Sequence, residues 1–186
     1  MKKTIILIIF LFGNIDIFAQ PVTSNIKKPK TLQVGANIST LTTTKAFFLS
    51  PSVVFEYGRS SVYLGPNLGI DYLHSTQSLG LHLHYQFYPN QKQKRIDFYF
   101  SFDMQWIKFK KEETFFDIKT NYIQNTMGYG FKLRIYHKLY FNQNFGLGFV
   151  YERKHYNYHN EPNLEGSRVN KFSVTGLLKF GIGYAF

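Results

Sequence analysis

Three short stretches hold residue types that can do chemistry, and each is incomplete. Asp71, His74 and Ser75 lie within five residues of one another. A hydroxyl beside an imidazole and a carboxylate is the composition of an acyl-transfer site, in which the imidazole takes the proton as the oxygen attacks. His82 and His84, in LGLHLHYQF, are two residues apart. On an extended chain that spacing turns both rings to one face, where two ring nitrogens can share a metal ion. Asp71 and Asp97 on adjoining segments are candidate partners, but nothing supplies a definite third and fourth ligand. His155-Tyr156-Asn157-Tyr158 sets an imidazole among phenols and an amide, with no serine to activate. The chain has no cysteine, which removes disulfides, thiolate metal sites and cysteine nucleophiles. The expectation is a protein with no catalytic residue, no metal and no cofactor, and hence not an enzyme.

A period of two, running from about residue 31 to the last residue, positions these groups. In IDFYFSFDMQW, Ile96, Phe98, Phe100, Phe102, Met104 and Trp106 fall on one face, and Asp97, Tyr99, Ser101, Asp103 and Gln105 on the other. Such alternation marks a β-strand with one oily side. Eight segments show it, near 31–40, 47–57, 61–72, 78–88, 96–109, 122–136, 139–154 and 170–186. Short turns at Gly58-Arg59-Ser60, Pro89 to Arg95 and His137-Lys138 alternate with longer links near 73–77, 110–121 and 155–169. The expected fold is all-β: an eight-stranded antiparallel up-and-down transmembrane β-barrel, one domain over residues 31–186.

Volume decides which face points out. The interior of an eight-stranded barrel is only just wide enough for its own side chains. It has no room for the Phe, Leu, Ile and Tyr of the oily face, so a soluble barrel or sandwich with that face inside is excluded. The oily face carries no charge, as a bilayer demands, since a lipid-facing Lys or Arg costs about 2 to 4 kcal/mol at the midplane. The inward face is rich in Gly, Ser, Asn and Gln. It also takes Glu56, Asp71, Asp97, Asp103, Lys132, Arg134, Glu152 and Lys179, which are expected to pair as a lumen charge network. Tyr57, Tyr72, Phe87, Trp106, Tyr151 and Tyr184 near strand ends suit interfacial girdles. Paired glycines such as Gly128 and Gly130, or Gly181 and Gly183, face the lumen and leave space for Tyr99 or Tyr140; no helix follows them, so they are not phosphate loops. Pro51 falls opposite Pro66 across the second hairpin. Proline donates no ladder bond, so a bulge or kink, or a gap that admits lipid, is expected there.

Residues 1–19 have the layout of a secretory signal peptide: Lys2 and Lys3, an apolar run from Ile5 to Phe12, and Phe18-Ala19-Gln20 as the cleavage region. Residues 20–30 would then be a short periplasmic segment. The formal charge is +11. On an exported chain that points to lipid phosphates rather than nucleic acid. Arg59, Arg95 and Lys138 sit at the short-turn end, where phospholipid would lie. Lys108, Lys119, Arg153 and Arg168 sit at the opposite end, where lipopolysaccharide phosphates would lie.

With these features the sequence resembles the small eight-stranded outer-membrane barrels, a group that includes the OmpA-like transmembrane domain, OmpX-like proteins and PorT-like barrels. The resemblance covers about residues 30–186. It implies a monomer in the cell outer membrane, with a structural or interaction role through its extracellular loops or a place in an envelope or secretion assembly. It also implies that GIGYAF, with Tyr184 and Phe186, is an insertion signal read by the barrel assembly machinery. Two enzyme families offer a rival reading as a lipid A-modifying enzyme. Outer-membrane palmitoyltransferases use His, Asp and Ser near proline gaps, which Asp71, His74 and Ser75 resemble. Lipid A deacylases carry His-Tyr-Ser-Asn, where this chain has His155-Tyr156-Asn157-Tyr158. A small pore is the remaining alternative.

Overall fold

The computed structural model describes residues 31–43, 46–71, 77–90, 95–112, 116–158 and 168–186. The expected leader and periplasmic segment, Tyr72, His74 and Ser75 lie outside the described residues, and so does the side chain of Asp71. Eight strands follow in order: β1 (Gln33–Thr43), β2 (Ala46–Tyr57), β3 (Ser60–Asp71), β4 (Gln77–Phe87), β5 (Ile96–Glu112), β6 (Phe116–Tyr136), β7 (Leu139–Tyr158) and β8 (Arg168–Ala185). They form a closed barrel in sequence order. Each is antiparallel to its neighbours, and β8 closes on β1 from Gly35↔Ala185 to Thr43↔Leu177. Following the register once around the wall from Phe180 returns to β8 at Asn170, ten residues away. That stagger tilts the strands, and tilt with strand number sets how much the lumen can hold.

Alternation fixes which side chains the lumen receives. Phe100 is 61% exposed on the outside while its neighbour Ser101 is buried, and the same exchange repeats along every strand. Glycine admits bulk where the sequence suggests it. A Cβ on Gly130 would stand 2.7 Å from the Tyr99 ring, and one on Gly183 would collide with Tyr140. In the turn after β2, Gly58 takes the left-handed conformation at φ 56°.

The structure corrects the sequence reading in three places. The first is strand length. The link expected over 110–121 is mostly strand, because β5 runs to Glu112 and β6 begins at Phe116; β7 likewise continues to Tyr158. The outward face of these extensions is polar: Lys110 on β5, Asp117, Lys119 and Asn121 on β6, and His155 and Asn157 on β7. They rise beyond the oily belt, where ladder bonds suffice and no apolar face is needed. The barrel is therefore lopsided, with strands of 11 or 12 residues on the β1–β4 side and 17 to 21 on the β5–β8 side. Among the described residues, β8 above Leu177 has no strand paired on its β1 side.

The second correction concerns the prolines. The β2–β3 ladder lapses between Leu49↔Leu68 and Val53↔Leu64, as expected of two facing prolines, but the register is the same on both sides. A bulge would have shifted it by one. Inside, the buried Ser50 hydroxyl bonds the Asn67 side-chain oxygen across the lapse. A Cβ on Gly65 would run into the Pro51 carbonyl, so the strands stay in close contact. A register shift occurs instead on β6, between Arg134 and Tyr136, beside His137 at φ 29°.

The third correction is inside. The lumen is not polar throughout: Leu41, Ala46, Phe48, Ile107, Tyr122, Val150 and Leu177 form a buried apolar cluster in its upper part, with Phe109 against it.

Candidate functional site: the lumen charge cluster

Asp103 is the centre of the lumen. It points inward from β5 beside Ser101 and Gln105, because all three share the face opposite Phe102 and Met104. The β4–β5 register sets His84 directly opposite it and His82 opposite Gln105. His82 Nε2 lies 2.7 Å from Asp103 Oδ1, and His84 Nδ1 bonds Asp103 Oδ2. Asn144 on β7 adds an N–H to Oδ2 at 3.3 Å. From β8 across the barrel, Lys179 Nζ comes to 3.6 Å from Oδ1 and 2.9 Å from His82 Nε2. One carboxylate and one ammonium balance, so both imidazoles can be neutral. With His84 donating from Nδ1, its Nε2 is free to accept from the Gln86 amide at 2.8 Å. Gln86 Oε1 in turn accepts from Tyr63 at 3.0 Å and Tyr88 at 2.5 Å. The result is a continuous polar chain from the middle of the lumen toward the short turns.

The expected network of eight charges resolves into separate groups. Asp103 and Lys179 belong to the centre. Lys132 pairs with Glu56 nearer the short turns, with its ammonium 3.7 Å from the centroid of the Tyr140 ring. Asp97 is buried. Glu152 is buried on β7, with Lys154 at 3.3 Å. Arg134 shares the inward parity of Lys132 yet is exposed. It stands at the mouth beside the register shift, where the chain leaves the wall, and so is not a lumen charge.

The two histidines and Asp103 offer donor atoms within 4.8 Å of one another, a set that could hold a metal. The third group of this set is thus Asp103, and Asp97 is not part of it. Lys179 already brings a positive charge to those same atoms, and a chain that supplies its own cation there opposes a second one. Nor is the cluster placed for catalysis: His82, His84, Asp103 and Lys179 are each at most 2% exposed. In the extension, His155 and Asn157 pair across to Lys119 and Asp117. Tyr156, between them, takes the opposite face. Tyr184 and Phe186 lie on the outside as an edge-to-face pair, ring centroids 5.6 Å apart.

The architecture is shared with solved outer-membrane proteins. The chain superposes on the N-terminal β-barrel domain of Pseudomonas aeruginosa OprF with a TM-score of 0.54 at 11% identity, covering 83% of this chain and 97% of that one. With a major outer membrane protein from Thermus thermophilus the TM-score is 0.57 at 12% identity, covering 84% and 100%. At such identities the likeness is one of fold. No protein-family model matches the chain, and the comparison with curated proteins found no match. In fold, this is a small closed β-barrel of the outer-membrane kind.

Proposed function

We propose that this chain is an integral protein of the cell outer membrane that works without catalysis, as a structural or interaction protein presenting its raised β5–β8 wall at the cell surface. That is a role an envelope or secretion assembly would use. One observation carries the reading: every described charge within the belt points into the lumen, while the outward wall is uncharged on all eight strands and apolar but for a few neutral polar side chains, Thr40, Asn125 and Gln143. Water would not select such a wall, and hydrocarbon would. The filled lumen supports a barrel that does not conduct, and the sealed histidines support a barrel that does not catalyse. Fractionation with gel migration tests this. The unboiled protein should separate with outer membranes and run at a different mobility from the boiled one. Recovery in a soluble fraction with no such shift would refute it, and reproducible single-channel steps in planar bilayers would replace it with a pore.

A further inference from the structure

Above the belt, the outward face of β5–β8 changes chemistry row by row. The registers align Trp106, Ile123, Tyr151 and Phe172 side by side as the last apolar row. The next outward residues are Lys108, Asn121, Arg153 and Asn170, and above them come Lys110, Lys119, His155 and Arg168. Acids enter only one row higher, where Glu112 meets Asp117. Two consecutive rows therefore hold five permanent cations and a histidine with no acid among them. Lys110 and Lys119 are cross-strand neighbours in the upper of the two rows. Four strands at about 4.8 Å spacing make the patch roughly 14 Å wide. On the β1–β4 wall the topmost described outward side chains, such as Thr42, Phe47 and Leu79, are uncharged.

The patch also has a built boundary. Lys108 Nζ stands over the Trp106 ring, 4.7 Å from its centroid, a cation–π contact that seats the lowest charge of the patch on the last apolar row. A concentrated cation field at that height on one wall fits an anion carried on acyl chains. We infer that the β5–β8 wall is a binding site for a phosphorylated glycolipid of the outer leaflet. Its acyl chains lie along the Trp106 to Phe172 row. Its phosphates meet Lys108, Lys119, Arg153 and Arg168, with arginine suited to two-point contact with phosphate oxygens. The amides of Asn121 and Asn170 flank Arg153 and can donate to sugar or phosphate oxygens. This inference rests on the outer-membrane reading and adds to it a ligand and a place.

The test uses the full chain folded into phospholipid vesicles doped with bisphosphorylated lipid A, with its dephosphorylated form, or with phosphatidylglycerol. Lipid kept through detergent extraction is measured by mass spectrometry. The intact protein should keep phosphorylated lipid A about tenfold over either alternative, and K108Q/K119Q/R153Q/R168Q should lose about that factor. R59Q/R95Q/K138Q, which removes charge at the short-turn end, should keep it. If the fourfold variant shows no folded gel mobility, K119Q/R168Q replaces it, with a smaller loss expected. Undiminished retention by a folded variant overturns the inference, and so does equal retention of phosphatidylglycerol by the intact protein. An intact protein that never enters vesicles overturns the membrane reading itself. One that inserts but shows no preference overturns only the glycolipid site.

Discussion

Two levels of the same narrow lumen are filled by opposite means. At His82 and His84 the space is held by an ion pair and its hydrogen bonds; above them it is held by Leu41, Phe48, Ile107, Val150 and Leu177. Both levels exclude water, but they fail differently. A collar of hydrocarbon that loses one side chain keeps its other contacts and gains a cavity. A charged centre that loses one partner keeps the other as an unpaired buried ion. The charged level also carries more information about pairing. A one-residue slip of β5 would turn Asp103 into lipid and Met104 into the cluster, whereas the same slip of β2 or β8 would only put Leu49 in place of Phe48, or Leu178 in place of Leu177, in the collar.

Five substitutions, one of them added to another, sharpen or break that contrast, each read as the urea midpoint of the barrel folded into vesicles. Asp103→Ala should be the most damaging, at about 3 to 5 kcal/mol, because Lys179 is left buried without its counter-charge. Adding Lys179→Met should recover a large part of that loss; a purely additive double variant would mean the two ions are not coupled. Leu177→Ala in the collar should cost about 2 to 4 kcal/mol from lost contacts and residual cavity, and no second substitution among the central charges should rescue it. Glu56→Gln breaks the ion pair with Lys132, whose side chains are 10% exposed. Partial access to water limits its cost to about 1 to 3 kcal/mol, and an effect as large as that of Asp103→Ala would erase the distinction between centre and mouth. Ser101→Ala removes a 2.8 Å bond to Asn144, one step from the carboxylate, and should cost about 1 kcal/mol. A larger loss would show that Asn144 depends on Ser101 to reach Asp103.

The barrel itself was legible in the sequence because alternation is a local property and one face had to meet lipid. The proline pair was legible too, since the turn at Gly58 fixes its register. Strand ends were not. Lys108 to Glu112 and Asp117 to Asn121 have no oily outward face to mark them, and only the pairing of β5 with β6 shows that they continue. Half of the central site could have been found the same way: extending the pairing of β4 with β5 back from their turn sets His84 against Asp103. The other half could not. Lys179 arrives from a strand nearly a hundred residues away, and its approach depends on barrel stagger. The collar was missed because each strand gives it only one or two apolar residues in an otherwise mostly polar inward row, and only the closed wall brings them together.

The unequal heights of the wall give the molecule a heading in the plane of the membrane. From the β1–β2 side a neighbour meets low strands and an oily surface. From the β6–β7 side it meets a tall, cationic face, and between the two runs the upper length of β8, whose β1-side backbone has no strand beside it among the described residues. A symmetrical cylinder could accept company from any direction. This one has a front and a back, so its lateral contacts would be oriented even where they are weak.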